Sequence, residues 1–245
     1  MGEAFVSRNI IAFSGGKDST ALALRWAELG KSATLIYTPT GDELPEMAAH
    51  VKTAARETGF ELVEIRAKHD LFSLIAEWNA LPNHRQRWCT RILKIEPCLA
   101  WIKSQVDASL LVGLRADEQE RKGIYSNDIA TRFPLREWGW GLSEVWGYLN
   151  GRGVSIPRRT DCSLCYAQRL SEWYALWRNH PERYQRGVDL ETETGHTFRS
   201  PSRDSWPASL VEMRKLFEKG RKPQGSENFD QLDLFEFGAC RVCSL

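Results

Sequence analysis

Asn9-Ile10-Ile11-Ala12-Phe13-Ser14-Gly15-Gly16-Lys17-Asp18-Ser19-Thr20-Ala21-Leu22 is the stretch that decides how this chain folds. Its first five residues form a short apolar run with β-branched side chains, the pattern of a buried strand. Ser14 to Ser19 is a tight polar loop. Thr20 to Leu29 is rich in helix formers, and Gly30 stops that helix. A strand that turns through two glycines into a helix makes an anion cradle. The glycines let backbone N–H groups approach a phosphate, and the helix offers its positive end. Ser14, Ser19 and Thr20 add hydroxyl donors, and Lys17 adds a positive charge. The spacing is not that of the G-x-x-x-x-G-K-[ST] loop. The plainer alternative is a strand–helix turn that uses its glycines for geometry alone.

Outward from this stretch, strands and helices alternate. Ala33–Tyr37 reads as a second strand, Glu46–Thr58 as a helix ended by Gly59, and Glu61–Arg66 as a third strand. His69–Trp78 and Arg91–Gln105 read as helices, and Ser109–Leu114 as a fourth strand. This order predicts an α/β fold, a parallel twisted sheet with helices on both faces. After Leu114 the period changes. Arg115–Phe133 reads as loop, Leu142–Leu149 and Leu170–Asn179 as helices, and Gly187–Ser205 as polar chain with few apolar anchors. Leu210–Lys219 is a basic amphipathic helix, followed by a linker over Arg221–Asn228. The expected organisation is a nucleotide-binding α/β domain over 1–133, a mostly helical cysteine-containing region of the same domain over 134–186, and a C-terminal extension over 187–245.

The chain has 245 residues, 42% hydrophobic and 27% charged, as expected of one globular domain or a domain with an appendage. Lys and Arg number 33 against 32 Asp and Glu, a formal net charge of +1. No global field therefore pulls the protein onto DNA or a membrane. Met1–Asn9 carries no long apolar stretch and no run reaches ~18 apolar residues, so no secretory leader and no membrane-spanning helix is expected. The expected location is the cytoplasm. Six cysteines are too few for a disulfide scaffold of this length. Two C-x-x-C pairs, Cys162/Cys165 and Cys240/Cys243, point to metal or redox chemistry instead.

The loop Ser14-Gly15-Gly16-Lys17-Asp18-Ser19 resembles the SGGxDS loop of the ATP pyrophosphatase (PP-loop) family. Thr38-Pro39-Thr40-Gly41-Asp42-Glu43-Leu44-Pro45-Glu46 is similar to the T-G-x-x-x-P-E loop of its phosphoadenosine-phosphosulfate (PAPS) reductase branch. Trp88-Cys89 through Lys94 to Pro97 resembles the C-[TC]-x-x-x-K-x-x-P block, and Gly113-Leu114-Arg115 through Arg121 the G-x-R-x-x-E-x-x-x-R segment. Pro134-Leu135 through Trp138, with Val145-Trp146-Gly147-Tyr148-Leu149, resembles a later block, and Asp161-Cys162-Ser163-Leu164-Cys165 the closing one. The resemblance runs in order from about Asn9 to about Tyr184. It implies an adenine nucleotide alpha hydrolase-like fold that binds ATP and cleaves it between the α and β phosphates. The nucleotide contacts it implies are Ser14, Gly15, Gly16, Lys17, Asp18, Ser19, Thr20 and Arg115. Lys17 and Asp18 would be catalytic and would lie in an exposed loop. Asp42 or Glu43 would hold Mg²⁺, since hard cations want carboxylate oxygen. Alternatively the second loop is a solvated turn with Glu46 at a helix N-terminus.

Cys162 and Cys165 have the spacing to grip one metal centre, and Cys89 can join them in space. Thiolates hold iron–sulfur clusters, and relatives in this branch often carry a [4Fe–4S] cluster. The sequence departs from the adenosine-phosphosulfate (APS) reductase pattern, which has two adjacent cysteines where this chain has Trp88-Cys89. The fourth ligand is then Cys240 or Cys243, or the fourth iron is open, as in three-cysteine sulfurtransferases. Cys98 is expected to be a small buried hydrophobe. Zinc held by both C-x-x-C pairs is the other closed arrangement, and a cluster-free thiol site a third.

Arg87, Arg91 and Lys94 flank Cys89, Arg158 and Arg159 precede Cys162, and with Arg121 they are the candidate cations for a substrate anion. Guanidinium forks suit phosphate or sulfate oxygens, although some of these side chains would be surface arginines paired with glutamate. Most of the 10 tryptophans are expected in the core, with a minority able to stack on a base. His180 before Pro181 is expected as a cap or surface residue. The resemblance implies an ATP-dependent sulfurtransferase, near the DNA phosphorothioation branch. It would adenylate an acceptor and replace oxygen with sulfur. The acceptor would be a nucleic acid, a protein or a small metabolite, and a cysteine desulfurase could be the sulfur donor. Two rival readings are a sulfonucleotide reductase, with Cys240 or Cys243 as nucleophile, and a non-catalytic nucleotide-binding subunit. In the tail, Phe229–Phe237 alternates apolar and acidic residues. It would dock as a strand and carry Cys240 and Cys243 to the site, or else fray.

Overall fold

A computed structural model describes residues 8–121, 129–201 and 203–226. The chain runs β1 (Arg8–Ala12), α1 (Lys17–Glu28), β2 (Thr34–Tyr37), α2 (Pro45–Thr58), β3 (Glu61–Glu64) and α3 (Leu71–Trp78). One helical path then follows: α4 (Trp88–Thr90), a π-helical segment (Arg91–Ile95) and α5 (Glu96–Lys103). After it come β4 (Ala108–Leu111), β5 (Ala130–Arg132), α6 (Pro134–Glu137) and α7 (Leu142–Gly151). The last elements described are α8 (Leu170–Asn179), α9 (Pro181–Thr194) and α10 (Leu210–Glu218).

Among the described residues the sheet has five strands in the order β3-β2-β1-β4-β5, and every adjacent pair is parallel. The chain builds outward from β1 to β3, then crosses back to β4 on the other side of β1. That reversal leaves a crevice beyond the carboxyl ends of β1 and β4, where open α/β sheets bind their ligands. Side chains alternate along each strand. Ile11, Phe13, Leu35, Tyr37 and Leu111 face a core shared with α1, α2 and α7. Ile10, Ala12, Ile36, Leu110 and Val112 face a second core with Cys98 and Ile102 of α5. Burial on both faces explains why β1 reads as a continuous apolar run. Cys98 is fully buried there, as expected, and burial pushes its thiol up to about 12.

Three local expectations need correction. The stretch expected as loop after Leu114 contains β5, which pairs with β4 through Ser109↔Ala130, Leu110↔Thr131 and Leu111↔Arg132. It is short and carries no buried residue, so only its pairing reveals it. The polar stretch from Gly187 is not anchor-poor: α9 continues to Thr194 and buries Tyr184, Val188 and Leu190. Gly187 packs so tightly that a Cβ there would lie 2.8 Å from Leu164 and Leu210 side chains. Polar residues on the outer face hid this helical period. The helix expected from Arg91 begins at Trp88 and is interrupted by the π segment. Among the described residues, no helix is long and apolar enough to cross a membrane.

Candidate functional site

A cavity of about 100 Å³ opens at the crevice beside β1 and β4. Its walls come from the end of β1 (Phe13, Ser14), the glycine loop and the first turn of α1 (Gly16, Asp18, Ser19), and the end of β4 (Val112, Gly113, Leu114). Gly15 has φ +71, and a Cβ on it would strike Met47 at 2.4 Å and Val51 at 2.8 Å. Only glycine allows α2 to support the loop this closely. Gly113 lets β4 approach equally near: a Cβ there would lie 3.0 Å from the backbone of Asp18. Ser14 Oγ lies 3.2 Å from Ser19 Oγ, and Ser19 Oγ donates to the Gly16 carbonyl. The first backbone N–H groups of α1 point toward this loop end, where a helix attracts anions.

Lys17 corrects an expectation. It is the first residue of α1 rather than part of an exposed loop, and only 1% of it is exposed. Its Nζ lies 3.3 Å from Asp18 Oδ2. Asp18 is also gripped by Arg115 Nη1, which donates to both carboxylate oxygens at 3.1 and 3.0 Å. Burial raises the Asp18 carboxyl above its ordinary value, while Lys17 and Arg115 pull it down. Arg115 also donates to Asp117. As placed, Arg115 therefore acts on the site through Asp18, and it does not line the cavity.

A second, smaller cavity of about 30 Å³ is lined by Cys89, Cys162 and Cys165, together with Thr40, Lys94 and Tyr166. Residues 73 apart in the chain, Cys89 and Cys162, thus share one wall. The donor set is three thiols beside a cation, chemistry that suits a thiolate-bound cluster. Among the described residues, no three His, Cys, Asp or Glu side chains close tightly enough to hold a single ion. Cys240, Cys243 and the Phe229–Phe237 stretch lie outside the described residues. Burial pushes the Cys162 thiol well above its ordinary value, and Lys94 pulls it down. Lys94 lines both cavities.

The Cys162–Cys165 turn is held by a buried polar network. Asp42, expected as a Mg²⁺ ligand, is 1% exposed and does not line the glycine-loop cavity. Its Oδ1 accepts the Ser163 hydroxyl at 2.5 Å, its Oδ2 accepts the Leu164 N–H at 2.7 Å, and Arg183 Nη1 lies 3.3 Å away. Burial nevertheless pushes its carboxyl up to about 6. Both oxygens are thus committed to the cysteine turn; Glu43, whose own oxygens accept from Thr40 and Gly41, is the carboxylate of this loop that lines the cavity. Arg159, expected at a substrate anion, is also buried. It donates to Gln168 Oε1 and to the carbonyls of Cys162 and Ser163. Its guanidinium satisfies the turn, where it is not available to a ligand as an open fork.

The remaining cations divide. Arg121 lines the glycine-loop cavity and donates to Glu118 at 2.6 Å. Arg87 and Arg91 are exposed and line neither cavity; Arg91 pairs with Glu96 at 3.6 Å. Arg158 lines a separate surface pocket with Glu46, Glu172 and His180. His180 is the N-cap residue of α9, with Nε2 3.2 Å from Glu46. Sequence reasoning missed two residues. Thr160 lines the glycine-loop cavity with a buried hydroxyl that has no hydrogen-bond partner among the described residues. His50 sits behind the loop with Nε2 3.4 Å from Thr20 Oγ1, kept below its ordinary pKa by burial. Neither lies in a recognisable motif; only the packing of α2 and the turn before Cys162 brings them in.

Residues 8–158 match the family described as the phosphoadenosine phosphosulfate reductase domain. Two uncharacterized proteins of Methanocaldococcus jannaschii are similar. One is 25% identical over 232 residues, covering 86% of this chain and 55% of the relative. The other is 27% identical over 200 residues, covering 75% of this chain and 41% of the relative. The chain thus spans about half the length of the curated relatives it matches. Among solved structures, a phosphoadenylyl-sulfate reductase from Candida auris in complex with phosphate is 15% identical, with TM-score 0.48, covering 62% of this chain and 76% of that one. A predicted subunit of a tRNA methyltransferase from Methanocaldococcus jannaschii is 21% identical, with TM-score 0.36, covering 61% and 90%.

Proposed function

Because this chain belongs to the phosphoadenosine phosphosulfate reductase domain family, whose members are nucleotide-using enzymes, we propose that it is an ATP-dependent sulfurtransferase. The observation that carries this reading is Lys94, which forms part of the wall of both the glycine-loop cavity and the three-cysteine cavity. A cation there lies between a phosphate cradle and a set of thiols, where charge would develop as one group replaces another.

ATP with Mg²⁺ would place its phosphates on the loop amides, the Ser14 and Ser19 hydroxyls and the positive end of α1. Glu43, which lines the glycine-loop cavity, would supply a carboxylate to the metal. An acceptor oxygen would attack the α-phosphorus, pyrophosphate would leave, and the oxygen would become part of an AMP ester. A sulfur nucleophile presented from the cysteine side would then displace AMP. Lys94 would stabilise the phosphoryl oxygens in both steps. Cys89, Cys162 and Cys165 would hold a [4Fe–4S] cluster, with Cys240, Cys243 or an open position completing it. Such a cluster supplies a site where sulfur can be attached. The acceptor would be a nucleic acid, a protein or a small metabolite, with a cysteine desulfurase as donor.

The test is anaerobic purification of the full chain, iron and sulfide analysis, and assay with ATP·Mg²⁺, APS and PAPS separately. Pyrophosphate released from ATP, lost in Lys17→Met, supports the sulfurtransferase reading. Sulfite released from APS or PAPS with no pyrophosphate from ATP assigns a reductase instead. Nucleotide binding without either product assigns a non-catalytic subunit.

A further inference from the structure

The loop after β2 borders both cavities, and we propose that it couples them: a ligand engaging Glu43 in the glycine-loop cavity changes how Thr40 and Asp42 hold the Cys162–Cys165 turn. This rests on the reading of that cavity as a nucleotide site.

Glu43 lines the glycine-loop cavity and Thr40 lines the cysteine cavity. The two side chains meet, with Thr40 Oγ1 2.7 Å from Glu43 Oε1. Thr40 Oγ1 is also 3.1 Å from Cys162 Sγ. A threonine hydroxyl has one proton, so it donates to one of these acceptors at a time. The carboxylate is the stronger and closer acceptor. Glu43 also accepts the backbone N–H groups of Thr40 at 2.6 Å and Gly41 at 3.0 Å. A cation or hydroxyl on a bound nucleotide would compete for that carboxylate. Thr40 would then turn its proton toward Cys162 Sγ.

The backbone carries the same message. Glu43 and Cys162 form an antiparallel bridge, and the Ser163 N–H donates to the Asp42 carbonyl at 2.8 Å. The Asp42 carboxylate takes the Ser163 hydroxyl and the Leu164 N–H. Thr40 and Asp42 are 2% and 1% exposed. A close-packed interior has no slack to absorb a shift of Glu43, so the cysteine turn moves with it. Coupling of this kind is reciprocal.

The experiment is hydrogen–deuterium exchange on the full chain, read at the Ser163 and Leu164 amides, with ATP·Mg²⁺ bound to saturation as measured by equilibrium dialysis. The expected result is a change in exchange of at least about fivefold on nucleotide binding. Thr40→Ser, which keeps the hydroxyl, should retain the change. Thr40→Val and Asp42→Asn should lose most of it while still saturated with nucleotide. Should Asp42→Asn fail to fold, Thr40→Val carries the test. Wild-type protein that binds ATP·Mg²⁺ with unchanged exchange overturns the coupling alone, as does a Thr40→Val protein that responds fully. Wild-type protein that binds no ATP·Mg²⁺ overturns the nucleotide reading, and the coupling with it.

Discussion

Arg115 Nη1 reaches across 97 residues of sequence to hold both carboxylate oxygens of Asp18, at 3.1 and 3.0 Å. The contact ties the segment after β4 to the first turn of α1, across the crevice where β1 and β4 diverge. Arg115→Ala leaves Asp18 beside Lys17 with its main partner gone. We expect a loss of about 3 kcal/mol in urea unfolding, as when one member of a buried pair is removed. Nucleotide affinity should fall with it. Arg115→Lys should recover only part of either, because an ammonium cannot reproduce the fork. Stability within about 0.5 kcal/mol of wild type in Arg115→Ala would show that the contact has no structural weight.

Lys17 has its stem inside the fold and its ammonium next to Asp18. Lys17→Ala therefore removes packing as well as charge, and should cost stability on the scale of other large-to-small changes, roughly 2 kcal/mol or more. Lys17→Met keeps the stem. It should unfold nearer the wild-type midpoint but bind ATP·Mg²⁺ at least about tenfold more weakly, a loss of roughly 1.4 kcal/mol. Equal nucleotide affinity in Lys17→Met and wild type would remove Lys17 from the site.

The three cysteines of the small cavity should behave alike, and the fourth described cysteine differently. Cys89→Ser, Cys162→Ser and Cys165→Ser should each lose most bound iron after anaerobic purification, because a chelated centre weakens when one thiolate is lost. Cys98→Ser should keep its iron and instead lose about 1–2 kcal/mol of stability, since a hydroxyl is placed among Ile10, Ile102 and Leu110 without a partner. Full iron content in Cys162→Ser is the result that contradicts the shared centre.

Glu191 gives the C-terminal helices a pH dependence. Its oxygens accept the N–H groups of Phe198 at 3.0 Å and Leu210 at 2.7 Å, and Arg199 is the nearby cation. Burial still pushes its carboxyl from 4.5 up to about 7. A raised folded value means the folded protein holds this proton more tightly than the unfolded chain. Glu191 therefore favours the fold below about pH 4.5, and that contribution is lost as pH rises through about 7. Relative to Glu191→Gln, the wild type should lose roughly 2 kcal/mol of stability between pH 5 and pH 8. Parallel stability profiles for the two proteins would refute this.

What was legible in the sequence followed from local chemistry. The run into Ser14–Ser19 announced a strand, a cradle and a helix, and two-sided burial of β1 made its apolar pattern unmistakable. The cysteine spacing likewise pointed to a shared cavity. Tertiary context hid the rest. β5 has no pattern of its own and exists through pairing with β4. Lys17 looked exposed because lysine normally is, and only the approach of neighbouring elements encloses it. Asp42 and Arg159 have the right chemistry for ligands, yet the turn at Cys162–Cys165 absorbs their hydrogen bonds. No single stretch of sequence reveals that these distant segments need one another.

The π segment at Arg91–Ile95 sets the phase of the helical path that carries it. An α-helix advances about 100° per residue, and a π turn takes in an extra residue before the α register resumes. The Cys89 end and the Cys98 end are therefore clocked independently. One end turns Cys89 and Lys94 toward the thiol cavity, while the other keeps Cys98 and Ile102 against the sheet. Winding all five residues of 91–95 as regular α-helix, with none removed, would rotate one end against the other by up to about 100°. The chain could then satisfy the sheet or the cavity, but not both. This short irregularity works as a spacer between two duties, and its length is as constrained as the identity of any side chain it carries.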